Sequence, residues 1–390
     1  MDAIAEEYVR LVLALGRHDP LYVDAYYGPP EWREEEASLD AIRARAVGAR
    51  AELEGEASER GRWLAKQLDA LVGRVDLVSG VPMTFDEESR ALYDVVAPAR
   101  GDEFYAEALD ALEAPVPGEG PLAERWEAMR SRFLIPPDRL EAVFGAAIEA
   151  ARSRTKGFVE LPEGEEFRIE YVRDQVWGAY NWYQGGARSL IQVNTDSPLG
   201  IEGALHLACH EGYPGHHVYN ALLEARLAKG MGWVEFTVYP LYSPQSLIAE
   251  GTAEYGVGLA FPEEERTAFE REVLAPLAGL DPEGLESYAE AREAAGRLRY
   301  ASNDVGRRLL DGAISHEEAV AWFGRYGLLD PVRAERRVRF IEAHRSYVVT
   351  YNVGEDLVRE YVEGRAATEG ERWRVFTDLL SRPTVPSDLA

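Results

Sequence analysis

Hydrophobic positions fall at helical spacing over most of this chain. Near the start, Ile4, Tyr8, Leu11, Val12 and Leu15 recur three and four apart, the apolar stripe of an amphipathic helix. Trp63, Leu64, Leu68, Leu71, Val72 and Val75 repeat that spacing and predict a second helix facing a core. Gly/Pro clusters separate such segments, as in Tyr27-Gly28-Pro29-Pro30 and the loop from Pro115 to Gly120. Residues 1–157 are therefore expected to be an N-terminal helical region.

The period changes after Gly157. Phe167, Ile169 and Tyr171 alternate with polar neighbours, and Leu190-Ile191-Gln192-Val193-Asn194 is rich in strand formers after a turn at Gly185-Gly186. These features predict a small sheet of two to four strands. From Pro198 onward the spacing is helical again, and no internal repeat or low-complexity segment interrupts it. The expected fold is mainly α and multi-helical, with one small sheet immediately before the segment richest in histidine. Residues 158–390 are expected to be the catalytic region, packed with 1–157 as one continuous unit. A strand so placed can hold an extended peptide edge-on while the next helix carries metal ligands.

Composition narrows the partners. The chain has 390 residues, 46% of them apolar and 28% charged, a composition that folds into one or two globular domains. A formal net charge of -27 argues against nucleic acid and anionic membrane, both of which need a basic face. One cysteine, Cys209, excludes an internal disulfide framework and fits a reducing compartment. The first residues lack the basic start and cleavage site of a signal peptide, and no run of about 18 apolar residues occurs. A cytoplasmic location is expected.

Four of the seven histidines lie between His206 and His217. Within His210-Glu211-Gly212-Tyr213-Pro214-Gly215-His216-His217, imidazoles and an adjacent carboxylate make a donor set that suits one zinc ion with a position left open. In many zinc peptidases the two histidines are four apart on a helix, with a glutamate general base after the first. Here Pro214 occupies that fourth position. On a straight helix His216 would lie about 9 Å along the axis from His210, too far for a shared ion. Pro214 and Gly215 allow a kink that returns His216 to His210. A rival pairing is His206 with His210, which share a helix face without distortion. A third ligand is sought in Glu250-Gly251-Thr252-Ala253-Glu254-Tyr255, where carboxylates one turn apart stand among small apolar residues.

The string His210 to His217 resembles the HExxPGHxxQ signature of the bacterial "domain of unknown function 885" family, regarded as zinc peptidases of the gluzincin type. Glu250 to Tyr255 is similar to that family's E-G-W-A-x-Y motif. The strand ending Gln192-Val193-Asn194-Thr195 resembles a segment upstream, and Arg345-Ser346-Tyr347 with Tyr351-Asn352-Val353-Gly354-Glu355 resembles its R-Y…Y-K-I-G-E stretch. The resemblance spans roughly residues 180 to 365. It implies a gluzincin-like metallopeptidase fold, His210, His216 and Glu250 as metal ligands, and Glu211 as general base. It leaves His217 and Glu254 to orient those ligands through hydrogen bonds. Thr252 stands where the family has tryptophan, the glutamine after the second histidine pair is absent, and the chain is shorter than typical members.

The implied chemistry is hydrolysis of a peptide or small amide by metal-activated water. Tyr351 is the expected donor to the developing oxyanion, with Tyr347 next, and Asn194 is a candidate anchor for substrate backbone. Hydrolysis of an ester or a non-peptide amide is the alternative reaction. A non-catalytic metal-binding protein is a third reading, against which Glu211 speaks.

Overall fold

A computed structural model describes residues 1–34, 36–175, 177–196 and 198–390. Helix Asp2–Gly16 buries every position of the first predicted stripe. Helix Glu59–Val78 begins at Ser58, whose hydroxyl accepts from the Gly61 N–H and so satisfies one free donor of the first turn. It buries Trp63 against Tyr8 and Phe236, at ring-centroid distances of 6.0 and 4.4 Å. Among the described residues no helix is long and apolar enough to cross a membrane.

The protein is mainly helical with a small sheet. The helical N-terminal region also contains a strand, β1 (Val23–Tyr26), which the helical reading of residues 1–157 did not anticipate. Strands β2 (Glu166–Val172), β3 (Ala179–Gly185) and β4 (Arg188–Asn194) form a three-stranded sheet in the order β2-β4-β3. β3 and β4 make a hairpin through Gly185 and Gly186, both with positive φ, at 79° and 66°. β2 joins the other side of β4 in parallel, from Glu166 opposite Arg188 to Val172 opposite Asn194. The strand that carries Asn194 is thus the middle one and offers no free edge; the edges are β2 and β3. A fifth strand, β5 (Val238–Pro240), pairs antiparallel with β1, placing Val23 opposite Pro240 and Tyr26 opposite Val238.

The centre of the protein is the helix Pro244–Ala260, buried on nearly all sides. Its neighbour is the helix Val349–Glu363. The two cross where glycine meets glycine: a Cβ added to Gly251 would lie 2.4 Å from the Gly354 carbonyl carbon. A side chain at either position would meet the backbone of the other helix, so glycine at both lets the helices approach this closely. It also brings Tyr347, just ahead of the second helix, onto Glu250.

Candidate metal centre

The histidine segment leaves α-helical geometry in the middle. Helix Ile201–Leu207 widens into a π-helical turn, Ala208–Gly212, and a new helix starts at His216. Between them the Tyr213 N–H donates to the Ala208 carbonyl at 3.1 Å and the Gly215 N–H to the Cys209 carbonyl at 2.9 Å. Pro214 has no N–H to continue a helical ladder. The fold-back is tight enough to require glycine, since a Cβ on Gly215 would lie 1.8 Å from the His210 carbonyl oxygen. The Asn181 side chain on β3 donates at 2.7 Å to the Glu211 carbonyl and fastens the turn to the sheet.

This path brings His210 Nε2 and His216 Nε2 to 3.1 Å, with the two rings nearly perpendicular at 86°. Glu250 completes the group: its Oε2 lies 3.3 Å from His210 Nε2 and its Oε1 3.5 Å from His216 Nε2. Ligands about 2.0–2.1 Å from one tetrahedral ion stand about 3.3–3.4 Å from each other. The two imidazole nitrogens stand close to this spacing, each lies near one of the two Glu250 oxygens, and all three residues offer a ligand atom within 4.8 Å of one another. Glu250 Oε2 is buried and lacks a hydrogen-bond partner among the described residues, as expected where ligation and not hydrogen bonding is the use of the group.

Surrounding groups hold these side chains in place. Tyr347 Oη donates to Glu250 Oε1 at 2.7 Å. Glu254 Oε1 lies 3.3 Å from His210 Nδ1, on the side of the ring away from Glu250, and 3.6 Å from His206 Nε2. Burial alone would raise the Glu250 carboxyl, but the His216 and His210 imidazoles hold it below the usual carboxylate range. The same competition, won by His206 and His210, lowers Glu254. His206, His210 and Glu254 form a second cluster of possible ligands that shares His210 with the first. His206 is the more open of these imidazoles, with 35% of its side chain exposed, against 7% for His210.

Glu211 and Tyr351 face a cavity of about 730 Å³ whose wall also includes His210, His206 and Glu254. Glu211 is 6% exposed, and its carboxylate makes no hydrogen bond or ion pair among the described residues. Its pKa is raised by burial, against the pull of the neighbouring imidazoles. The Tyr351 hydroxyl is likewise raised by burial and by the negative charge of Glu250. Gly178 and Ala179, at the start of edge strand β3, line the same cavity.

Two expected residues lie elsewhere. His217 is turned the other way: Nδ1 is 2.8 Å from Ser189 Oγ and Nε2 is 3.2 Å from Glu165 Oε2, and it hydrogen-bonds to none of His210, His216 and Glu250. Consecutive positions on a helix point about 100° apart, which sends His217 into the sheet side when His216 faces Glu250. The Asn194 side chain donates to the Gln175 and Trp177 carbonyls at 2.9 Å each and accepts from the Asp196 N–H, so its polar atoms are engaged in shaping a loop. Tyr347, the second choice for oxyanion donor, has its hydroxyl on Glu250 instead.

Other groups near the centre had no local signal. Asp24 on β1 accepts from Tyr180 Oη, and burial pushes its pKa up to about 7, partly offset by His216. Glu165 binds His217, Tyr213 and Arg152, whose hydrogen bonds outweigh burial and hold its carboxyl at about 2. Both come from segments far in sequence from the histidines, where one acidic residue among 69 gives no reason to single it out.

No family model matches the chain, and no curated protein matches it. Among solved structures, a candidate lipoprotein from Colwellia psychrerythraea superposes with a TM-score of 0.58 at 15% identity, covering 90% of this chain and 66% of its own. This chain thus spans just under two thirds of that protein's length. A candidate lipoprotein of unknown function from Shewanella oneidensis gives a TM-score of 0.49 at 12% identity, over 89% of this chain and 74% of that one. An M32 carboxypeptidase from Deinococcus radiodurans R1 gives 0.43 at 14% identity, over 100% and 92%. At these identities the first likeness bears on the fold alone.

Proposed function

We propose that this protein is a zinc-dependent hydrolase of peptide bonds, with His210, His216 and Glu250 as ligands of one ion and Glu211 as general base. The observation that carries the reading is Glu211. A carboxylate kept nearly buried without a partner is costly to the fold, and here it stands on a cavity wall directly after a residue of the donor trio. A purely structural metal site has no use for such a group. The resemblance of residues 210–217 and 250–255 to zinc peptidase motifs supports the same assignment.

When bound, zinc supplies Lewis acidity and lowers the pKa of water towards neutrality. Glu211 accepts the proton of the attacking water and returns it to the leaving amine; its raised pKa suits both halves of that task. Tyr351 offers its hydroxyl to the carbonyl oxygen as negative charge builds there. Glu254 and Tyr347 fix the orientation of His210 and Glu250 from behind. Gly178 and Ala179, at the start of β3, line the cavity where an extended peptide would lie.

The test is metal reconstitution. Protein stripped with a chelator should take up one equivalent of zinc and hydrolyse a mixed peptide library only when loaded. Failure to bind zinc, or a loaded protein inert on every peptide, would end this reading.

A further inference from the structure

Two groups of candidate ligands share one imidazole and differ in how far they lie from solvent. The inner group is His210, His216 and Glu250; the outer one is His206, His210 and Glu254. His210 faces the inner group with Nε2 and the outer group with Nδ1. In the outer group Glu254 Oε1 lies 3.3 Å from His210 Nδ1 and 3.6 Å from His206 Nε2. Ligand atoms on one tetrahedral zinc ion stand about 3.3–3.4 Å apart, so this single carboxylate oxygen is spaced to share an ion with both rings. The rings lie nearly parallel, at 19° with centroids 5.6 Å apart, as their spacing of four along the chain leads one to expect.

The cavity decides which group an arriving ion meets first. His206, His210 and Glu254 all line it, whereas the inner group contributes His210 alone among the described residues. Side-chain exposure falls in the same order: 35% for His206 and 21% for Glu254, then 12% for His216 and 7% for His210 and Glu250. The outer donors stand beside open space, and the inner ones would hold an ion more completely out of water.

We propose that His206 and Glu254, together with His210 Nδ1, form an outer station where the metal ion binds before it passes to the inner site. This rests on the reading of His210, His216 and Glu250 as the final ligands. A neutral imidazole has one free lone pair, so His210 holds an ion at Nδ1 or at Nε2 and not at both. One station therefore empties as the other fills, and the protein keeps a single ion. In the outer state the His210 ring proton is on Nε2. As the ion moves inward, Nε2 releases that proton to water and Nδ1 takes one up. The Nδ1–H then donates to Glu254, the contact that steadies the ring in the final state. His206 is outside the inner group, so its work is confined to loading.

The experiment mixes apo protein with cobalt(II) in stopped flow and follows visible absorption, which differs between ligand sets. Wild type should show a fast phase whose rate rises with cobalt concentration, then a slower one that does not. His206→Ala should slow loading about 10-fold or more, while the final spectrum is unchanged and Kd stays within about 3-fold of wild type. His206→Glu, which returns a carboxylate donor to the position, should recover much of the rate and so separates ligation from packing. His216→Ala should trap the ion at the outer station, binding cobalt weakly, and adding His206→Ala should remove that binding. Loading of His206→Ala at the wild-type rate, loss of its metal at equilibrium, or equal cobalt binding by the single and double variants of His216 overturns the outer station and leaves the inner site standing. A wild-type protein that binds neither cobalt nor zinc removes the inner-site reading itself.

Discussion

Replacing Tyr347 by Phe removes a single hydroxyl. In the protein that hydroxyl donates a 2.7 Å hydrogen bond to Glu250 Oε1, between side chains that are 4% and 6% exposed, so no bulk water stands ready to replace it. A hydrogen bond to a charged group contributes about 1.5–3 kcal/mol, and losing it leaves the carboxylate freer to rotate away from His210 and His216. With metal bound, Glu250 keeps its charge, so the loss appears as weaker metal affinity. At about 1.4 kcal/mol per tenfold, the zinc Kd should rise roughly 10–100-fold, the range expected for a group that orients a ligand. Competition against a chromophoric chelator measures this directly, with the melting temperature of the apo protein as control. The ring also rests edge-on against Tyr93, Tyr242 and Tyr351, and Phe retains that packing. A zinc Kd within about 2-fold of wild type would refute the claim that Tyr347 holds Glu250, whatever the effect on turnover.

Glu211→Gln should abolish hydrolysis while one equivalent of zinc stays bound, as read by metal analysis; loss of zinc would make Glu211 a ligand. Tyr351→Phe should lower kcat by about 10²–10³ with zinc content and melting temperature unchanged; full activity would remove it from the mechanism. Gly251→Ala forces a methyl to within 2.5 Å of the Gly354 carbonyl oxygen. It should destabilise the fold by about 1–3 kcal/mol in denaturant titration, and an unchanged midpoint would contradict the close crossing. His344, whose Nδ1 lies 3.2 Å from the Tyr242 hydroxyl, has its pKa lowered to about 4 by burial and by Arg74. Between pH 6.5 and 4 the unfolded chain binds a proton that the folded one refuses, so stability should fall by roughly 1–2 kcal/mol as pH drops through that window. His344→Gln should flatten the slope, which pH-dependent unfolding will show.

The residues that meet at the candidate metal centre were legible where chemistry is dense in sequence. His210, His216 and Glu250 stand in two short motifs, and the requirement for a kink followed from the spacing of His210 and His216, with Pro214 and Gly215 to permit it. The way the chain turns back, through a π-helical turn, depends on how β3 and the buried helix support it, and no local pattern encodes that. His217 was assigned by its place in a motif and Asn194 by its place at the end of an expected edge strand, yet side-chain direction is set by helix rotation and strand order. Once β2 crosses to the outside of the hairpin, the strand of Asn194 becomes central and its carboxamide is drawn into a loop. The amphipathic stripes at 4–15 and 63–75 were readable because burial imposes a period on neighbours. Asp24 was not, since its meaning lies in the partner it shares across a long sequence distance.

The pairing of β1 with β5 has a consequence for how the protein is made. Val23 leaves the ribosome long before Pro240, and at 5–20 residues per second the interval is roughly 10–40 s. Throughout it β1 has no strand to pair with, and Arg60, which binds Glu235 in the finished protein, waits as well. Tyr347 emerges later still, so Glu250 is synthesised before the hydroxyl that steadies it. The grouping of His210, His216 and Glu250 is therefore completed only at the end of synthesis, and a truncated nascent chain carries the histidines without the side chain that steadies their partner.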